Sequence, residues 1–283
     1  MHIHWFPGHM TKSLRLIAEN IKSVDAVVYI LDARAPLSCL NESLDEIIKD
    51  KSVLYVLNKK DLADTNKIKS WLQKFESQGK NAVTLSGTEK GEMSVLLSAL
   101  KKIEKPKVKK FEQKGAFVPT RIMVVGVPNC GKSTVINTLC GKKSAVTGDK
   151  PGVTRGKQWV KLQNGMELLD TPGTLFPDFS NQTRAKHLAF IGSIKDEVVD
   201  PEELARELIS CLAEKYPIEF TAKYGLSNPA DINLSTDEIC KKRGCVIRGG
   251  EFDYERGAKA LIDDFRKGKI CKVTLEDADE SFV

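Results

Sequence analysis

Apolar residues recur at helical spacing at Met10, Leu14, Ile17 and Ile21, with polar residues between them, which predicts a helix over 10–22. The period then changes. Asp25-Ala-Val-Val-Tyr-Ile-Leu-Asp32 is a short, β-rich apolar run and reads as a buried strand, and Val53–Leu57 and Ala82–Leu85 repeat the signal. Amphipathic helices are predicted near 41–50, 65–78 and 92–103. Further strands follow at Arg121–Val125, Gln158–Leu162 and Met166–Leu169, the last two separated by the turn residues Gln163-Asn164-Gly165. Six strands alternating with helices predict an α/β fold with a mostly parallel sheet and one antiparallel hairpin strand.

Beyond residue 178 strand patterning stops. Asp200-Pro201-Glu-Glu203 has the form of a helix start, with Ala205, Leu208, Ile209 and Leu212 on one face. Ser235-Thr-Asp-Glu238 reads as a capping box for a second helix, and Asp253 as the start of a third. Residues 178–283 are therefore expected to form a small all-helical domain, with a frayed acidic tail at Glu276–Glu280.

Charge sharpens this division. The 283 residues carry a net charge of +6, but residues 101–114 hold seven lysines against two glutamates, residues 115–177 are net +5, and residues 178–283 are net −5. The lysine run reads either as a solvated tether or as a surface for nucleic acid phosphate. The cluster Lys241-Lys242-Arg243 with Arg248 is equally open between a solvated helix face and RNA contact. A hydrophobic fraction of 41% allows a real core, and runs such as Ala26–Leu31 are far short of the ~20 residues of a membrane span. The N-terminal stretch lacks the form of a secretory signal or an organelle import leader. Seven scattered cysteines without a C-x-x-C point to reduced thiols in a cytoplasmic protein rather than to structural zinc.

Gly126-Val-Pro-Asn129-Cys130-Gly131-Lys132-Ser133-Thr134 contains G-x-x-x-x-G-K-S between a strand and a helix, the context of a phosphate-binding loop. Its backbone N–H groups turn onto phosphates, Lys132 neutralises the β- and γ-phosphates, and Ser133 reaches Mg²⁺. Asp170-Thr-Pro-Gly173 supplies a carboxylate for the metal, through water, and an N–H from Gly173 for the γ-phosphate. Asn58-Lys59-Lys60-Asp61 reads guanine: Asp61 accepts from N1–H and the exocyclic amine, Asn58 ties this loop to the phosphate loop, and the Lys59 stem lies on the base. Ser86-Gly87-Thr88 is expected to offer N–H to guanine O6. The ligand is therefore GTP or GDP, and a kinase or ATPase is disfavoured.

The base-reading motifs precede the phosphate loop, the reverse of the Ras-like order, so the expected fold is a circularly permuted Ras-like P-loop GTPase over residues 1–177. Residues 101–120 are the linker that the permutation requires, and the helical domain 178–283 is attached directly behind the switch.

Permuted order, Trp5-Phe-Pro-Gly-His9-Met10, Asp32-Ala-Arg-Ala-Pro36 and the helical tail resemble the ribosome biogenesis GTPase A (YlqF) family over essentially the whole chain. The resemblance implies a cytoplasmic GTP hydrolase acting late in bacterial large (50S) ribosomal subunit assembly, stimulated by the precursor particle. It implies contacts with rRNA and ribosomal proteins, no membrane or DNA partner, and a monomer off the ribosome. Thr154, in Pro151-Gly-Val-Thr-Arg155, is the candidate switch threonine completing the Mg²⁺ shell. In similar GTPases the residue matching Asn129 helps hold K⁺ beside the phosphates. Where Ras-like enzymes carry a water-orienting Gln, this chain has Thr174, and the family usually has an aliphatic residue. His9 is then the candidate for positioning water, against a structural or RNA-contacting role. Without a Gln, a second reading stands beside the first: a nucleotide-gated rRNA-binding scaffold with negligible hydrolysis. A metal site of His2, His4 and His9 is a minor alternative.

Overall fold

A computed structural model of the chain describes residues 1–3, 8–87, 89–103, 119–140, 158–162, 165–175 and 180–281. The six expected strands are all present: β1 Ala26–Asp32, β2 Ser52–Asn58, β3 Asn81–Leu85, β4 Arg121–Val125, β5 Gln158–Lys161 and β6 Glu167–Asp170. They form one sheet in the order β3-β2-β1-β4-β6-β5. Every neighbour is parallel except β5 against β6. β1 is buried along its full length, as a central parallel strand covered on both faces must be, which is why it reads as an unbroken apolar run.

Among the described residues, the α-helices of the first half are α1 Gly8–Asn20, α2 Pro36–Cys39, α3 Glu42–Ile48, α4 Thr65–Ser77, α5 Met93–Lys102 and α6 Lys132–Cys140. α2 is an extra turn without a hydrophobic period, opened by Pro36 at its first position. The pairing register sets Asp32 beside Asn58 and Val124 beside Asp170, so the motif residues end their strands at one edge of the sheet. That edge, at the carboxyl ends of parallel strands, is where open α/β sheets bind ligands.

The second part contains α7 Gln182–Phe190, α8 Pro201–Lys215, α9 Pro217–Tyr224, α10 Ile232–Arg243 and α11 Tyr254–Arg266. Asp200 caps α8 by accepting from Glu203 N at 2.9 Å, and Asp253 caps α11 by accepting from Arg256 N at 3.0 Å. The capping box expected at Ser235–Glu238 is not formed. The helix begins one turn earlier, where Asp231 accepts from Leu234 N at 3.1 Å, and the buried Ser235 hydroxyl donates instead to Asn228 O at 3.2 Å.

The acidic tail does not fray. Val273 N donates to Leu62 O, Leu275 N to Arg34 O and Trp71 Nε1 to Glu276 O, so the segment is strapped across the first half of the chain. Glu276 is fully buried. Its carboxylate accepts from Leu37 N (2.6 Å), Ser38 N (3.1 Å) and the Ser38 hydroxyl, and lies 2.9 Å from His187 Nδ1.

Candidate nucleotide site

The segment joining β4 to α6 turns through backbone conformations that restrict its residues. Gly126 and Gly131 have φ of +149° and +97°, and Asn129 is left-handed at +59°. A side chain at Gly126 would run into the Ile30 carbonyl oxygen, and one at Gly131 into the Asn58 amide. Lys132 Nζ folds back over the loop, donating to Gly126 O at 3.1 Å and Val127 O at 2.8 Å.

Asn58, at the end of β2, joins the two halves of the site. Its Nδ2 donates to Cys130 O at 2.8 Å, and its Oδ1 accepts from Gly87 N at 2.9 Å. Asn58 thus bonds to residues 72 and 29 positions away, the first of them in the phosphate loop. Lys59 takes a left-handed conformation, φ 61°, which swings Nζ to within 2.6 Å of Asn129 O and 2.9 Å of Asp32 Oδ2. Lys60 pairs with Glu92, and Asp61 sits exposed in the turn that follows.

The Ser86–Gly87 turn is held by bonds within the protein. Ser86 N donates to Glu92 Oε2 at 2.9 Å and Gly87 N to Asn58 Oδ1, so both N–H groups are engaged within the protein. Thr88 lies outside the described residues. Thr138 on α6 closes the turn from below, donating to Gly87 O at 2.7 Å.

On the phosphate side, Ser133 Oγ donates to Asp170 Oδ2 at 3.2 Å, uniting the phosphate loop with the end of β6. A hydroxyl and a carboxylate together form an all-oxygen donor set that fits a hard divalent cation. Gly173 packs so tightly that a Cβ there would come within 2.6 Å of Pro128 N. Thr174 donates its N–H to Gly126 O at 3.1 Å, while its hydroxyl is buried with no hydrogen-bond partner among the described residues. Thr154 and the rest of 151–157 lie outside the described residues. His9 falls in the first turn of α1, its side chain outside the described residues.

Sequence reasoning missed Asp32 as a member of this site. Burial alone would push its carboxyl up, but the charges of Arg34 and Lys59 and their hydrogen bonds outweigh it and hold the group well below the usual carboxylate range. Cys130 is fully buried, and desolvation pushes its thiol up against the lowering influence of Lys132 and Lys59, which leaves it an unreactive packing residue.

A family model described as 50S ribosome-binding GTPase matches residues 121–220, covering the phosphate loop and Asp170–Gly173 but not 58–61, as the permuted order requires. The ribosome biogenesis GTPase A of Bacillus cereus is 40% identical over 99% of this chain and 95% of its own length. The protein of the same name from Thermotoga maritima is 32% identical over 98% and 95%. A mitochondrial ribosome-associated GTPase 1 from Xenopus tropicalis is 32% identical over 96% of the chain and 94% of its own length. Among solved structures, GNP-bound YlqF from T. maritima superimposes with a TM-score of 0.71 at 29% identity, covering 95% of this chain and all of that one.

Proposed function

The chain belongs to the ribosome biogenesis GTPase A family, and from that premise we propose that it hydrolyses GTP as a checkpoint in a late step of bacterial 50S subunit maturation, stimulated by the precursor particle. The observation that supports the reading is Asn58 bridging Cys130 O and Gly87 N, which brings the base-reading motifs and the phosphate loop together despite their permuted order.

In this reading residues 1–177 are the GTPase unit and residues 178–283 the helical unit. Asp61 accepts the guanine N1–H and amine, and the Lys59 stem covers the base. Lys132 exchanges its two loop carbonyls for β- and γ-phosphate oxygens, as the loop N–H groups and Gly173 N–H turn to the same anion. Thr134 follows at the α-phosphate end of the loop. Ser133 and Thr154 would hold Mg²⁺, with Asp170 acting through water, and Asn129 would hold K⁺. The two cations supply positive charge against the negative charge that develops on the phosphates. With Thr174 buried, His9 is left to orient the attacking water.

The test is single-turnover GTP hydrolysis with and without purified 50S precursor particles in KCl. Stimulation by the precursor and not by mature subunits is expected, and it should fall when NaCl replaces KCl or when His9→Ala is introduced. Equal rates with and without precursor would sink the checkpoint reading.

A further inference from the structure

The nucleotide site is tied to the helical region by a closed ring of bonds that no sequence motif announces. Lys59 Nζ donates to Asn129 O and pairs with Asp32 Oδ2. Arg34 grips the same carboxylate, Nε to Oδ1 at 2.9 Å and Nη2 to Oδ2 at 2.8 Å. The third Arg34 nitrogen, Nη1, donates to the carbonyl oxygen of Arg266 at 3.1 Å, and the guanidinium lies 5.4 Å from the Phe265 ring centroid. The Arg266 side chain in turn binds the last carbonyls of α7, Nε to Phe190 O at 3.1 Å and Nη2 to Ala189 O at 2.8 Å, and pairs with Asp196 at 2.7 Å. The turn that follows α7 then reaches the phosphate loop. Gly192 O accepts from Asn129 Nδ2 at 2.7 Å, and Ser193 Oγ donates to Pro128 O at 2.7 Å. The ring closes on Asn129, where it began.

A buried ion pair is weak evidence for stability, because desolvation offsets much of the attraction, so its geometry asks for another reason. Asp32 and Arg34 are 0% and 2% exposed, and their bonds fix one arrangement in which Asp32 faces the nucleotide side through Lys59 and the helical side through Arg34. Gly192 sits at φ +77°, and a Cβ there would press on Arg266 Nε at 3.3 Å, so the path of the α7 turn and the position of the Arg266 side chain determine each other.

We propose that Arg34 and Arg266 are positioning residues that hold the phosphate loop and Lys59 in nucleotide-binding geometry, so that their contacts with the helical region set how fast guanine nucleotide leaves. The proposal rests on residues 58–61 and 126–133 being the nucleotide site. It is separate from the attachment behind the switch, since every ring member lies outside residues 141–179.

Stopped-flow release of a fluorescent GDP analogue from the full chain tests it. Arg266→Gln should release about tenfold faster than wild type, the size expected for losing charge-assisted hydrogen bonds. Ser193→Ala, which removes a single hydroxyl, should release roughly threefold faster and carries the test if Arg266→Gln does not fold. In an Asn129→Ala, Ser193→Ala background Arg266→Gln should add no further acceleration, because both side-chain links from the α7 turn to the phosphate loop are already cut. A merely structural Arg266 would instead lower thermal stability alike in both backgrounds and leave release unmoved. Wild-type binding with unchanged release in the variants, or equal acceleration by Arg266→Gln in the wild-type and doubly substituted backgrounds, overturns the relay alone. A wild-type chain that does not bind the analogue overturns the nucleotide site, and the relay with it.

Discussion

Lys59 carries two loads at once, the carbonyl of Asn129 and the carboxylate of Asp32, and the second makes the site sensitive to acid. Asp32 titrates below its ordinary range in the folded protein, so the unfolded chain binds more protons between the two values. Its contribution to stability is present above roughly pH 4, the unfolded carboxylate value, and is lost as pH falls through the depressed folded value. Urea unfolding between pH 2 and 5 should therefore show a shallower rise of stability with pH in Asp32→Asn than in wild type, and parallel slopes would refute this. The tie from Asn58 to the phosphate loop was legible in the sequence because Asn58-Lys-Lys-Asp61 is a local pattern of four residues that ends a strand. Arg266 was not, because its partner Arg34 is 232 residues away and no local pattern records such a pairing. The engaged N–H groups of Ser86 and Gly87 were equally hidden, since both acceptors, Glu92 and Asn58, are ordinary side chains of neighbouring elements.

Among the elements, legibility followed burial geometry. The edge strand β5 and its neighbour β6 were legible from the turn residues between them, whereas β1, covered on both faces and apolar throughout, stands out by its burial. α7 was missed for the opposite reason: Ala185, His187, Leu188, Ala189 and Phe190 are buried on several sides, which erases the amphipathic period, and Arg184 and His187 look solvent-facing until Glu42 and Glu276 are seen to pair with them. α10 shows how a local motif misleads. Ser-Thr-Asp-Glu has the spacing of a capping box, yet the turn at Asn228–Asp231 already provides a cap, and the helix takes the earlier one. Asp231→Ala should accordingly cost about 1 kcal/mol in urea unfolding, whereas Asp231→Asn, an equally good cap, should cost almost nothing. A loss for both, or for neither, would move the helix start away from Asp231.

For the whole molecule, the decisive feature is the tail that composition marked for fraying. Counting acids overlooked their partners: Asp277 meets Lys67 and Lys215, Glu280 meets Lys215, and Glu276 turns inward to two backbone N–H groups, the Ser38 hydroxyl and His187. The exposed pairs are each worth at most ~1 kcal/mol. The buried carboxylate differs, because removing it strands several donors away from water, at about 1–3 kcal/mol for each group left unsatisfied. Glu276→Ala should therefore destabilise the chain by about 3 kcal/mol or more, and Glu280→Ala by less than ~1 kcal/mol. Because Val273 N is bonded to Leu62 O, one residue beyond Asp61, a loosened tail should also loosen the base-reading turn. Guanine nucleotide affinity, measured by equilibrium binding well below the unfolding transition, should then fall in Glu276→Ala and stay at the wild-type value in Glu280→Ala. If both substitutions gave the same small loss of stability and neither changed affinity, the tail would be a passive end to the chain and not the strap that joins its two halves at the nucleotide site.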